Sequence, residues 1–176
     1  MAPRHNWFRR NRSGEVVLEL RPDEASFLLR IIGELRSALE QPADSPMMLR
    51  LFPRAYLDPT EDDREREYSI IANADLLRTR LDRTQAMLDS LEEIARSNRA
   101  SKLVLSDDQT SEWMGTLNDA RLALGVVIDI DEDVEPDDLA DDDPRRFGLE
   151  VYSLLSHFFG ELVDVAMMAM PIEGID

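Results

Sequence analysis

Residues 18–39, LELRPDEASFLLRIIGELRSAL, and residues 103–124, LVLSDDQTSEWMGTLNDARLAL, align without a gap at an offset of 85. Seven of the 22 positions are identical: Leu18/Leu103, Leu20/Leu105, Asp23/Asp108, Ser26/Ser111, Arg36/Arg121, Ala38/Ala123 and Leu39/Leu124. Background composition gives about one or two identities over such a length. Each copy opens with alternating apolar residues, the signal of a short strand, and continues with apolar residues at helical spacing. The pair predicts two halves, each running β-α-α, with their strands side by side about a pseudo-twofold axis.

Working outward, the segment from Trp7 through Asn11–Gly14 to Val16–Leu20 predicts a hairpin ending at Arg21-Pro22. An amphipathic helix follows over Asp23–Glu40, with Ile31, Ile32, Leu35 and Leu39 in its stripe and Asp23 and Glu24 favourable at its N-terminus. Met47–Pro59 reads as an apolar, proline-containing loop packed on the body. Thr60 is placed to cap a long helix to about Ser97, with a bend near Ala72–Asp75. So long a helix serves either as one arm of a bundle or as a dimer seam.

Ser106 and Gln109 form a capping box for the second copy's helix, which Gly125 is expected to stop. Asp143 and Pro144 are expected as N-cap and first residue of a last helix to about Met170. That helix is apolar on more than one side, which predicts a central position or a homodimer contact. The expected fold is mostly α (α+β): a bundle of about four main helices with a small β element. It forms one domain over 1–176, with a basic arm at 1–13, a first half at 14–98 and a second half at 99–176.

The chain has 176 residues, 43% of them hydrophobic, and a formal net charge of −17. That charge opposes tight, sequence-independent binding of nucleic acid by the whole surface. Residues 1–13 carry four arginines and no acids, so Arg9, Arg10 and Arg12 are candidate partner contacts, against the alternative of a frayed terminus. Residues 129–143 carry ten acids and no bases, which makes Asp131, Asp133 and Asp137 candidate contacts for a basic partner, against a merely solvated loop. The odd-numbered acids imitate a calcium loop. Val134 and Ala140, however, stand where that loop needs a glycine and a bidentate glutamate. Arg78, Arg80 and Arg83 are either intrahelical ion pairs or a partner-binding stripe.

No chemistry-bearing motif is present: no nucleophile elbow, no phosphate loop, no dinucleotide fingerprint and no zinc helix. His157 is expected to be packed and hydrogen-bonded in the last helix. No catalytic residue, cofactor or metal is expected. With no cysteine, no signal-like start and no apolar run of membrane length, the expected location is the cytoplasm.

Three segments carry a family likeness: Leu51-Phe52-Pro53-Arg54-Ala55-Tyr56, then Trp113-Met114-Gly115-Thr116-Leu117-Asn118-Asp119-Ala120-Arg121-Leu122-Ala123-Leu124-Gly125, then Tyr152-Ser153-Leu154-Leu155. Together they resemble the actinobacterial domain-of-unknown-function family 2017, often encoded beside the Clp-protease adaptor. The resemblance implies a regulator. Some members are described as oxidative-stress transcriptional regulators that work with an alternative sigma factor, and redox sensing there rests on a cysteine pair. This chain has none, so a thiol mechanism does not carry over.

The residues themselves favour structural roles: Trp113 in the core, Pro53 and Tyr56 pinning the loop, and Asn118, Asp119 and Arg121 fixing packing, with Arg121 paired to a carboxylate on another helix. The expected function is non-enzymatic regulation through a protein partner, linked to transcription. The alternatives are direct DNA binding through the basic arm and the helix arginines, and an enzyme or small-ligand binder.

Overall fold

A computed structural model describes residues 6–41, 45–97, 99–130, 139–140 and 142–168. The elements run β1 (Phe8–Arg10), β2 (Val16–Leu20), α1 (Pro22–Leu39), α2 (Pro46–Leu51), a 3-10 turn (Pro59–Glu61), α3 (Asp62–Ala95), β3 (Ser101–Leu105), α4 (Asp107–Val127) and α5 (Arg146–Met167). The protein is α+β and mostly helical, with a three-stranded antiparallel sheet in the order β1-β2-β3.

The strands of the two echoed segments are hydrogen-bonded neighbours, and Leu18 pairs directly with its counterpart Leu103. Exchanging each residue for the one 85 positions away turns the Val16–Leu105 pair into the Leu20–Ser101 pair, and both exist. The register therefore carries a local twofold at Leu18 and Leu103. Symmetry stops at β1, which pairs with β2 alone. The hairpin turns as expected: the Asn11 side-chain oxygen accepts from the Ser13 and Glu15 amides at 2.9 and 3.0 Å, and Gly14 sits at φ +85°.

Capping fixes the helix starts. Ser106 Oγ accepts from the Gln109 amide at 3.2 Å while Gln109 Oε1 accepts from the Ser106 amide at 3.0 Å. At α1 the Glu24 carboxylate accepts from the Arg21 amide at 2.8 Å, with Pro22 in the first turn. The core gathers both halves: Phe8, Leu18 and Leu20 from the sheet, Ile32 and Leu39 from α1, Met87 and Leu91 from α3, Leu117 from α4, and Leu155, Phe158 and Leu162 from α5. Each side chain of this size contributes about 1.5–3 kcal/mol by leaving water.

Several local expectations are corrected. Residues 46–51 are a helix, not loop, because Ser45 Oγ accepts from the Met48 amide at 3.2 Å and Pro46 suits the first turn. The first half is thus β-α-α-α. Thr60 does not cap α3; Asp58 caps the preceding 3-10 turn, accepting from the Thr60 amide at 2.9 Å. The helix runs unbroken through Ala72–Asp75.

Gly125 lies inside α4, where an added Cβ would stand 3.3 Å from Ile130 and 3.4 Å from Tyr152. The stop comes four residues later: Asp129 takes φ +48°, its amide bonds Val126 O at 3.3 Å, and the Ile130 amide bonds Gly125 O at 2.9 Å. Asp143 and Pro144 form a turn ahead of α5 rather than its first residues, with Asp143 Oδ1 accepting from the Arg145 amide at 2.8 Å. Met170, the expected end of the last helix, and Asp131, Asp133 and Asp137 of the acidic loop lie outside the described residues.

Candidate functional site

Helix α3 has 34 residues, about 51 Å at 1.5 Å per residue, whereas α1, its principal neighbour, has 18. The difference leaves the N-terminal part of α3 reaching beyond the body. From Thr84 onward Met87, Leu88, Leu91 and Ile94 are buried. Before Leu77 the large apolar side chains are exposed: Tyr68, Ile70, Ile71 and Leu76, with Ile71 at 76%.

Two devices hold this reach in place. The first lies near its free end. The Glu65 carboxylate is buried and accepts hydrogen bonds from the Tyr56 amide at 2.8 Å, the Ala55 amide at 3.0 Å and the Ser69 hydroxyl at 2.5 Å. The Ser69 hydroxyl chiefly, then the two backbone amides and the Arg54 charge, hold the carboxyl below its ordinary range, against the opposing effect of burial. Tyr56 meets Tyr68 edge to face at 6.1 Å between ring centres, and the Arg64 guanidinium lies 4.8 Å from the Tyr56 ring. The loop is thereby tied to the helix.

The second device lies at the root. Asp119 of α4, 3% exposed, accepts from Arg80 Nε at 3.0 Å and from Arg83 Nη2, both on α3. The Arg80 guanidinium also covers the Phe52 ring at 4.8 Å. Gly115 makes room for this lock: a Cβ there would come within 2.3 Å of Arg83 Nη1 and 2.8 Å of its Cζ. Asp119 lies one helical turn beyond Gly115, so a single face of α4 forms both socket and counter-ion.

The first two segments quoted for the family likeness therefore meet on α3, though about 60 residues separate them in the chain. Phe52 and Tyr56 brace it from the loop side; Gly115 and Asp119 brace it from α4. Trp113 is buried in the core. Pro53 is exposed, and Asn118 is half-buried with no side-chain hydrogen bond among the described residues. Arg121 does not meet a carboxylate. Its Nε donates to Ser156 Oγ at 2.9 Å, and its guanidinium faces the rings of Tyr152 and Phe159 at 5.6 and 5.2 Å, tying α4 to α5.

The sequence profile of the family described as "Domain of unknown function (DUF2017)" matches residues 2–166. The chain belongs to this family. It is 26% identical over 152 residues, 80% of this chain and 67% of the relative, to a Mycobacterium leprae (strain TN) protein named "Putative oxidative stress regulator AosR". No solved structure matches. In this DUF2017 chain Phe52, Tyr56, Gly115 and Asp119 brace α3, while Arg121 and Tyr152 join α4 to α5.

The other predicted residues separate. Arg10 is consumed: Nε and Nη2 donate to the carbonyls of Val165 and Ala166 at 2.7 and 2.8 Å, at the C-terminus of α5. Arg9 and Arg12 are exposed. Arg78 is also exposed and pairs with Asp75 at 2.5 Å on its own helix, while Arg80 and Arg83 turn inward to Asp119. The six arginines thus form no common face. His157 is exposed and meets the Trp7 ring edge-on, at 5.6 Å between centres, and among the described residues it makes no side-chain hydrogen bond, unlike the hydrogen-bonded histidine expected from sequence.

Sequence reading passed over Glu65, the contact of Phe52 with Arg80 and the apolar exposure of α3. A signal for the last was present. Residues 61–67 are all charged and residues 78–83 include four charges, yet the ten residues from Tyr68 to Leu77 contain only Asp75. A charge-poor window on a charged helix is the pattern of an interface core with a polar rim.

Proposed function

We propose that this protein is a non-enzymatic regulator that acts by protein–protein contact, without thiol chemistry, and that residues 68–77 of α3 are its contact surface. One observation carries the reading: a stretch of exposed apolar side chains held at both ends by dedicated braces. A helix fixed before binding loses little conformational entropy on association, so its apolar area is available for affinity. Nothing about its charge suits it to a phosphate backbone, since Arg10, Arg80 and Arg83 are already engaged within the chain. The name of the relative, an oxidative stress regulator, supports a regulatory role, and we extend it to a partner in the transcription machinery.

An enzyme or small-ligand reading finds less support. The cavity of about 400 Å³ between Trp7, the end of β2, α1 and α5 is lined by Trp7, Leu20, Phe27, Leu28 and Phe158, and its Glu24 carboxylate is already taken by Trp7 Nε1 and the Arg21 amide. Among the described residues no three acidic or histidine side chains are placed to hold a metal, and no helix is long and apolar enough to cross a membrane.

The test is affinity capture on wild-type protein and on Ile70→Asp/Ile71→Asp, scoring sigma factors and polymerase subunits. The reading expects those proteins on the wild type and their loss on the variant. Equal capture by both would remove residues 68–77 from the function.

A further inference from the structure

We infer that a second copy of this chain seats on the exposed window of α3, with the two helices antiparallel about a twofold axis between Ala72 and Asn73. The inference rests on the contact-surface reading above and names what the window meets in the isolated protein.

The charge order along the helix selects this occupant. Arg80 and Arg83 are turned inward to Asp119 and Glu65 is buried in its clamp, so the outward charges at the two ends of the window are Glu67 and Arg78. The apolar window between them is centred between Ala72 and Asn73. An antiparallel twofold through that point lays the window on itself. The same operation sets the acidic end of the window against the basic end of the other copy's, twice. A parallel arrangement would instead set Glu67 beside Glu67 and Arg78 beside Arg78, which is unfavourable.

The outward stripe has the spacing such a pairing needs. Glu67, Ile71, Ala74 and Arg78 follow at intervals of 4, 3 and 4, the alternation of a helix–helix seam, and all four are exposed. Under the twofold, Glu67 faces Arg78 of the second copy and Ile71 faces its Ala74. Large meets small in the middle, and opposite charges close both ends. Glu67 has no ion-pair partner among the described residues, and Arg78 holds only the solvent-exposed Asp75. An isologous contact of this kind closes at two copies and leaves no free end for further growth. The last helix, by contrast, already buries Leu155, Phe158 and Leu162 within the chain, with β1 and α4 as its neighbours.

The experiment is sedimentation equilibrium on the full chain at several concentrations and salt levels. The wild type is expected at twice the 20.1 kDa chain mass, with dissociation promoted by salt. Ile71→Asp should weaken association at least 100-fold. Glu67→Arg and Arg78→Glu should each weaken it several-fold, because each sets like charges opposite each other. An equimolar mixture of these two single variants should regain it, since the mixed pair restores both contacts. A wild type that stays at the chain mass at every concentration, or a dimer indifferent to Ile71→Asp, or a mixture no tighter than its components, would overturn the inference. A monomeric wild type whose Ile70→Asp/Ile71→Asp variant still loses sigma-factor capture would do so while leaving the contact-surface reading standing.

Discussion

The two ends of α3 are one continuous helix with opposite fates. The C-terminal end packs Met87, Leu91 and Ile94 into the core, where α1 is the chief neighbour of the helix. The N-terminal end offers Tyr68, Ile70, Ile71 and Leu76 to solvent, although it is at least as apolar over ten residues. Helix formation alone cannot explain the second end, because a helix in water is stabilised mainly by burying a face. Two side-chain devices take over that task, the Glu65 clamp and the Asp119 lock. The lesson is that apolar residues on a helix serve stability where a neighbour covers them. Where the chain instead invests in bracing, they remain available to something outside it.

Substitutions can break this contrast. The largest expected effect is Leu91→Ala, which should cost about 3 kcal/mol in denaturant unfolding, while Ile71→Ala, at concentrations low enough for the chain to be monomeric, should change stability by no more than about 0.5 kcal/mol. Equal losses would mean that the exposed end is packed after all.

Next comes the root of the reach. Asp119→Ala leaves Arg80 and Arg83, only 16% and 21% exposed, without their counter-ion, and should cost about 3 kcal/mol. Denaturation midpoints of single and double variants with Arg83→Met check this, because the two losses should not add.

The clamp sets a pH dependence. Glu65 has its carboxyl lowered in the folded state, so its contribution is fully present above the ordinary value of 4.5 and is lost as pH falls through the lowered one. Amide exchange at Ala55 and Tyr56 should stay slow at pH 5 and quicken only in stronger acid. In Glu65→Gln those amides should exchange fast at every pH. The smallest effect separates two helical glycines. Gly33→Ala meets nothing within 4 Å and should stabilise by about 0.5–1 kcal/mol, whereas Gly115→Ala should not, because its Cβ displaces Arg83 from the lock. Thermal unfolding of the pair sharpens the claim that Gly115 is a socket.

Much of the fold could be read from the chain because its signals are local. The Ser106–Gln109 box, the Asn11–Gly14 turn and the echo of residues 18–39 in 103–124 each depend on neighbours in sequence. The side-by-side strands followed from that echo. Helix ends were misjudged where a less usual residue took the terminal role, as Asp129 did in place of Gly125. The Glu65 clamp and the Asp119 lock were hidden for another reason. Each joins groups whose meeting depends on tertiary placement, and in an acidic chain one carboxylate looks like any other. Arg80 and Arg83 looked like surface charges for the same reason.

The most direct test of the account follows amide hydrogen exchange along α3 as protein concentration rises. Residues 68–77 should gain protection with concentration, residues 84–95 should not change, and Ile71→Asp should remove the gain. Protection over 68–77 that is independent of concentration and unaffected by Ile71→Asp would contradict it.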